Sequence, residues 1–247
     1  MKNELRLIWR KIFGFDWKFG VFLILIICIP RFVLVLQANV EGNYSSIGLI
    51  MLASALLPFV FLNKYGQKGI GITKTQKYGW LLGAFVAGMT FSVLLHFLGQ
   101  GLYGDSYDNW YAYIGKSYHI PTVISSSDKM VLFSITALTG MLFSPIGEEL
   151  FFRGIVYSSL EKSIGDRMAV IIESAAFAIT HIAHFGLVYI DGQWNLLIIP
   201  MLIWVLGMFG VSLLFLYYKK RSESIWGAVI CHAGFNLGMI FCIFYLM

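Results

Sequence analysis

Hydrophobic runs of about twenty residues, separated by short polar loops, constrain the fold of this chain more than any other feature of its sequence. A helix of that length crosses the hydrocarbon core of a bilayer, whereas a membrane β-barrel shows shorter, alternating segments. The sequence therefore predicts an all-α fold, a polytopic transmembrane helical bundle of about seven to eight helices. A single transmembrane domain is expected over residues 1–247, with spans at 20–38, 46–62, 78–99, 130–146 continuing into a helix at 147–160, 168–188, 195–217 and 225–246.

Composition agrees with a membrane domain and excludes a soluble globular enzyme. Hydrophobic residues make up 58% of the chain, charged residues 13%, and the mean hydropathy is +0.76. Soluble domains carry about 25% charged residues. The three cysteines all lie in apolar runs, which is typical of buried, unpaired thiols rather than of a disulfide framework.

The lysines and arginines lie at the ends of the apolar runs, where they set membrane orientation, so no nucleic-acid partner is expected. Loops 63–77, 160–168 and 218–224 are basic, whereas loops 39–45 and 189–194 have no lysine or arginine. We predict an integral, multi-pass protein of a bacterial plasma membrane with a cytoplasmic N-terminus. Residues 1–18 are expected to form a basic amphipathic segment on the membrane surface, in which Lys2, Arg6, Arg10, Lys11 and Lys18 alternate with Leu5, Ile8, Trp9, Ile12 and Phe13.

Polar residues inside the apolar runs are the candidate functional groups, because each one costs free energy in hydrocarbon. Arg31 is expected to reach the interface or to pair with a carboxylate. His96 and His119 are expected to be structural. The candidates are Glu148, Glu149, Arg153, Glu173, His181, His184, His232 and Asn236.

Glu148, Glu149 and Arg153 form the sharpest pattern, Glu-Glu-x3-Arg. Ser144 and Pro145 predict a helix start just before them. Glu149 and Arg153, at i and i+4, share one helix face, while Glu148 points about a quarter-turn away. One carboxylate would then be held by the guanidinium, and the other would be free to act as a general base. This helix lies toward the cytoplasmic end of the predicted topology, so cleavage is expected near the cytoplasmic leaflet.

Two further patterns place imidazoles on helices. Glu173, Phe177 and His181 are spaced at i, i+4 and i+8, and His184 lies near the same face. His232 and Asn236, at i and i+4, suit the stabilisation of an oxyanion or, alternatively, hydrogen bonds between helices. Together these groups can activate water and bind an oxyanion, or they can hold a metal such as zinc. Zincin, serine-hydrolase and aspartyl-protease motifs are absent from the sequence.

The three patterns resemble the CAAX protease and bacteriocin-processing family, also called the Abi family. The motifs match in order: Glu148, Glu149 and Arg153; then Phe177 and His181; then His232 and Asn236. The matched core covers about 145–240. The resemblance implies a helical intramembrane endopeptidase of the type II CAAX prenyl-protease kind.

The resemblance also implies roles for the residues. Glu148 would activate the attacking water with help from His181, while His232 and Asn236 would form the oxyanion site. Glu149, Arg153 and Phe177 would be supporting residues. Two schemes stay open: Zn²⁺ bound by Glu148, His181 and His232, or a glutamate-dependent reaction without a metal.

The expected partners are membrane lipids and a peptide or lipid-anchored protein substrate. The alternative function is bacteriocin self-immunity, either by binding or by proteolysis of the bacteriocin or its receptor. A third hypothesis, a small transporter that uses the carboxylates as a proton relay, is disfavoured because the chain has no repeated half.

Overall fold

The computed structural model describes residues 3–247. The helices are α1 (Trp17–Glu41), α2 (Ser45–Phe61), α3 (Lys64–Gly69), α4 (Tyr78–Tyr103), α5 (Trp110–Gly115), α6 (Ser126–Glu149), α7 (Tyr157–Ile164), α8 (Asp166–Thr180), α9 (Ile198–Ser222) and α10 (Ile225–Tyr245). A π-helical segment, Leu150–Val156, joins α6 to α7, and short 3-10 turns occupy Trp9–Lys11, Lys116–Tyr118 and His181–Ala183. Strands β1 (Leu187–Ile190) and β2 (Gln193–Leu196) form the antiparallel hairpin before α9.

The prediction of an all-α membrane bundle is confirmed. Within residues 3–247, five helical units are long and apolar enough to cross a membrane: α1, α4, the continuous unit Ser126–Ile164, α9 and α10. Helix α2 is apolar but shorter, and α8 has 15 residues. Each of the seven predicted spans therefore contains a helix, and two of these helices, α2 and α8, are short for a bilayer.

The fifth predicted span, 168–188, is wrong at its C-terminal end. Helix α8 ends at Thr180, and the 3-10 turn that follows carries the chain only to Ala183. Gly186 and Gly192 both have positive φ, as does Asp191, and Asp191-Gly192 is a preferred two-residue turn for a β-hairpin. The hairpin therefore replaces the last turns of the expected helix.

The predicted helix start at Ser144 and Pro145 is also wrong. Helix α6 runs without interruption from Ser126 to Glu149, with Pro145 inside it. Ser144 is not an N-cap, because the preceding turn of helix is already formed; its hydroxyl instead donates to Glu148 Oε1 at 2.5 Å. Proline inside a membrane helix is tolerated where neighbouring groups satisfy the backbone.

One end of the bundle, here called the basic end, consists of residues 3–16, 62–77, 160–167 and 218–224. Several contacts join these segments: Leu5 pairs with Leu62, Lys162 with Glu4, Lys220 with Asp166 and Lys77 with Glu223. Leu5 is fully buried, whereas Leu7, Ile8 and Ile12 are exposed, so part of the predicted surface segment is docked on the bundle. Lys2 lies outside the described residues.

The opposite end, here called the loop end, consists of residues 41–44, 104–129, 184–197 and 245–247. Tyr113 accepts a hydrogen bond from the backbone of Tyr189 at 2.8 Å, and the ring of His119 lies 3.2 Å from the Gly42 carbonyl. Lys129 lies over the Tyr245 ring. These contacts gather the loops into one surface.

Helix α10 lies at the centre of the bundle and packs most closely on α4. Gly88 of α4 lies against the Cys231 carbonyl, and Gly234 of α10 lies against the Phe85 carbonyl; a Cβ at either glycine would clash with backbone. Small residues allow this close approach of membrane helices. The packing fixes the part of α10 that carries His232 and Asn236.

Candidate active site

A cavity of about 490 Å³ lies among α1, α2, α6, α9 and α10. Its inner part is lined by buried residues, and its outer part by half-exposed residues of the loop end. The polar side chains at its inner wall are those singled out in the sequence, Glu148, His181, His184, His232 and Asn236, together with Arg31 and Ser144.

Glu148 presents one carboxylate oxygen to its neighbours and leaves the other without a hydrogen-bond partner among the described residues. Its Oε1 accepts from Arg31 at 3.0 Å and from Ser144 at 2.5 Å. Its Oε2 lies 4.0 Å from His181 Nε2. The expectation that Arg31 pairs with a carboxylate is confirmed, and the carboxylate is Glu148.

His181 occupies the 3-10 turn that ends α8, at the cavity wall. Its Nδ1 lies 2.7 Å from the Phe177 carbonyl, which accepts the ring proton. In the neutral tautomer this leaves Nε2 as a hydrogen-bond acceptor, on the side of Glu148. The His181 carbonyl in turn accepts from the indole of Trp204 at 3.2 Å, which fixes the turn.

Glu149, Arg153 and Glu173 form a cluster with no solvent exposure. The Nε of Arg153 lies 3.2 Å from Glu149 and 3.1 Å from Glu173, so the predicted i,i+4 pair is confirmed. These distances are those of ion pairs, but the angles do not make hydrogen bonds within residues 3–247. The guanidinium lies between the rings of Phe177 and Phe215, 4.2 and 5.0 Å from their centroids.

His232 connects this cluster to the cavity. Its Nδ1 lies 2.7 Å from Glu149 Oε1, and its ring stacks on Phe215 with centroids 4.6 Å apart. The other ring nitrogen, Nε2, is the one left for a ligand in the cavity. A carboxylate on one imidazole nitrogen fixes the orientation of the ring and places a proton on that nitrogen.

The sequence left two roles open for Asn236, an oxyanion donor or a hydrogen bond between helices. The structure contains the hydrogen bond between helices. The Nδ2 of Asn236 donates one hydrogen to the Gly140 carbonyl of α6 at 2.8 Å. The second hydrogen of the same amide is not used by this bond. Since Asn236 also lines the cavity, both roles are compatible with its position.

The remaining histidines separate by location. His184 lines the cavity beside His181, with ring centroids 5.4 Å apart. His96 stacks on Tyr111 away from the cavity, and His119 lies at the loop end.

Sequence reasoning missed two residues of the site. Ser144 was interpreted as a helix cap, and Phe215, which contacts both Arg153 and His232, carries no sequence signal because it lies in an apolar helix.

The residues predicted for zinc do not form a three-ligand site as they are placed. Within residues 3–247, no group of three or more His, Cys, Asp or Glu side chains is positioned to hold a metal ion. One oxygen of Glu148 and one nitrogen of His232 are already engaged by protein groups. The reaction proposed below is written with the groups of the chain itself, and the zinc scheme is tested beside it.

Comparison with known proteins gives one finding. Residues 130–238 match the family described as type II CAAX prenyl endopeptidase Rce1-like, and this stretch contains all three motifs. No curated protein and no solved structure matches the chain. The match supports an integral membrane protein and, in general terms, an intramembrane endopeptidase of the CAAX type. Residues 130–238 are thus similar to the Rce1-like type II CAAX prenyl endopeptidases, and this match supports the family resemblance carried by the three motifs.

Proposed function

We propose that the chain hydrolyses a peptide bond inside the membrane, with a water molecule activated by Glu148 and His181. The observation that carries this proposal is the pair of acceptors at the cavity wall, Glu148 Oε2 and His181 Nε2, 4.0 Å apart. A water between them would donate one hydrogen to each acceptor and direct its oxygen lone pair into the cavity. The geometry of a general base within reach of its water is the first requirement of such a mechanism.

The reaction then needs one proton transfer in each direction. As the water oxygen bonds to the scissile carbonyl carbon, one water proton passes to Glu148 Oε2. The C–N bond breaks when that proton passes to the amine leaving group, which restores the carboxylate. Arg31 and Ser144 hold the other oxygen of Glu148, so the carboxylate keeps its orientation throughout.

The charge that develops on the carbonyl oxygen needs donors that are already in place. Protonated His232 would donate from Nε2 while Glu149 accepts from Nδ1. Asn236 would add its second amide hydrogen. The buried cluster of Glu149, Arg153 and Glu173 would orient the His232 ring through Glu149 and would not contact the substrate.

The substrate is proposed to be a membrane-associated peptide or a lipid-anchored protein. The cavity walls away from the polar groups are apolar, and they accept apolar side chains or an acyl-like chain more readily than charged groups. The apolar lining is contributed by Met51, Phe143, Trp204, Met208, Val211, Phe235, Met239 and Ile240.

The proposed activity is tested by identifying the new peptide termini that proteolysis would produce. Membrane and secreted peptides from cells that make equal amounts of wild type, Glu148→Gln or Glu161→Gln are compared by mass spectrometry. Glu161 is a matched control, because it is an exposed carboxylate of the same helical unit. We expect new termini with wild type and Glu161→Gln only. Identical termini with Glu148→Gln would contradict the proposal and favour the immunity-by-binding alternative, which tolerates this substitution.

Metal removal separates the two schemes left open by the sequence. With the glutamate mechanism, purified protein treated with a strong zinc chelator and freed of metal keeps its cleavage rate on the substrate found above. A loss that added Zn²⁺ reverses would assign the reaction to a metal instead. Metal content of the untreated protein, measured by mass spectrometry, is the accompanying control.

A further inference from the structure

We infer that the catalytic cavity opens on the non-cytoplasmic side of the membrane, so that its substrate is a membrane-associated segment exposed on the outer surface. That a substrate enters this cavity rests on the proposed function, whereas the side on which the cavity opens does not. Three observations carry the inference: the charge of the two ends of the bundle, the residues that line the cavity, and a second cavity beside it.

The two ends of the bundle differ in charge. The loop end carries Lys116 and Lys129 against Glu41, Asp105, Asp108, Asp128 and Asp191. The basic end carries most of the exposed cations of the described chain: Arg6, Arg10, Lys11, Lys64, Lys68, Lys74, Lys77, Lys162, Arg167, Lys220 and Arg221.

This asymmetry orients the bundle. Lysine and arginine in short loops are retained in the cytoplasm, and acidic residues have little influence. Every loop of this chain is short enough for the rule to apply. The basic end is therefore assigned to the cytoplasm and the loop end to the opposite side.

The catalytic cavity extends toward the loop end. Its outer lining includes Tyr44, Ile114, Ser117, Tyr118 and His184, which all belong to the loop end or lie beside it. Among the described residues, none of its lining belongs to the basic end. From the inner wall at Glu148 and His232, the cavity thus leads to only one of the two membrane surfaces.

A second cavity of about 220 Å³ continues this path to solvent. It shares Tyr44, Ile114, Ser117 and His184 with the catalytic cavity. Its other lining residues are mostly polar: Asn39, Gly42, Tyr113, Lys116, His119 and Tyr189. Of these, Gly42, Lys116 and His119 are exposed. This second cavity is polar and lies at the loop end, so water and an extended peptide can pass through it to the apolar cavity behind it.

The inference reverses the expectation of cleavage near the cytoplasmic leaflet. That expectation came from the position of Glu148 near the cytoplasmic end of its predicted span. The π segment and α7 extend this helical unit to Ile164, so Glu148 lies well inside the unit and the cavity reaches it from the other end. A cytosolic polypeptide would have to cross the bundle to reach the site, whereas an exported or outer-leaflet segment would not.

Cysteine accessibility in bacterial protoplasts tests the side of the opening. Ser117→Cys and Lys116→Cys place a thiol at the cavity mouth, and Lys68→Cys places one at the basic end. The label is a membrane-impermeant maleimide, added before or after permeabilisation. Wild type is the background control, because its three cysteines are buried. Two mouth variants are used so that poor folding of one does not decide the result.

We expect the mouth thiols to react in intact protoplasts and Lys68→Cys to react only after permeabilisation. Loss of labelling at both mouth positions in intact protoplasts, or labelling of Lys68→Cys there, would overturn the inference. Labelling does not require catalysis, so the same pattern is expected when Glu148→Gln is added. Failure of the proposed activity is seen in the peptide termini, and failure of the sidedness is seen only here.

Discussion

Glu148 and Glu149 are neighbours in the chain, yet they lie in opposite environments. Glu148 lines a cavity and keeps one oxygen without a hydrogen-bond partner within residues 3–247. Glu149 has no solvent exposure and lies among Arg153, His232 and the nearby Glu173. The quarter-turn between adjacent helical residues is enough to separate them. A buried carboxylate on one helix can therefore be available for catalysis or be held in an ion-pair cluster, depending on the side of the helix from which it projects.

The two carboxylates also differ in how their charge is balanced. Arg31 and Ser144 engage only one oxygen of Glu148, so the other can accept a proton. Around Glu149, a guanidinium is shared by two carboxylates and covered by two aromatic rings. Removing one member of such a buried set is costly, because the remaining charges stay buried.

Glu148→Gln gives the sharpest test of this comparison. Loss of a general base lowers the cleavage rate by about 10²–10⁴-fold. The amide keeps an oxygen for the hydrogen bonds from Arg31 and Ser144, so the protein should still purify as a folded species by size exclusion in detergent. Glu149→Gln should instead lower the melting temperature as well as the rate. Equal effects of the two substitutions on rate and on melting would break the distinction.

Arg153→Met should have the largest effect on stability. The substitution keeps most of the apolar volume but leaves Glu149 and Glu173 without their shared cation, at a cost of about 3–5 kcal/mol. Thermal unfolding in detergent measures the loss, and Arg167→Met, an exposed arginine, is the control. An unchanged melting temperature would mean that the cluster does not hold the fold together.

Asn236→Ala separates the two roles left open for this side chain. An oxyanion donor contributes about 10²–10³-fold to kcat, whereas a single interhelical hydrogen bond contributes about 1 kcal/mol to stability. We expect a fall in kcat with little change in KM, together with a small loss in melting temperature. A melting shift with unchanged kcat would restrict Asn236 to holding α10 against α6.

Gly88→Ala should have a smaller effect, through the position of His232. The added methyl group meets the Cys231 carbonyl, and overpacking of this kind costs about 1–3 kcal/mol. Gly79→Ala in the same helix is the control, because a Cβ there has no atom within 4 Å. Both variants are compared by thermal unfolding and by cleavage rate. Equal behaviour of the two would show that close packing of α4 on α10 does not set the site.

Contacts between residues close in sequence were predictable, and contacts between distant residues were not. The i,i+4 spacing of Glu149 and Arg153 gave their pairing, and the length of the apolar runs gave the bundle. Arg31 and Glu148 are 117 positions apart, and His232 and Glu149 are 83 apart. Such partners depend on how the helices pack, which hydrophobicity alone does not determine.

The two local errors have the same origin. Ser144 and Pro145 are typical of a helix start when only their neighbours in sequence are considered. The apolar run before them instead continues as helix through Pro145. At residues 184–196, Gly186 and Asp191-Gly192 adopt turn conformations and the chain forms a hairpin instead of helix, although the residues between them are apolar. At Pro145 the hydrophobic run determined the structure, and at residues 184–196 the turn-forming residues did.

The π-helical segment Leu150–Val156 has a consequence for how this site tolerates change in chain length. A π segment holds one residue more than the α-helix it replaces, and such segments often occur at functional sites. Arg153 lies inside it, while Glu148 and Glu149 lie just before it. Deleting one residue within 150–156 would let the unit relax to an α-helix and rotate everything after the deletion relative to the glutamates. Spacing would then matter more than identity at these apolar positions.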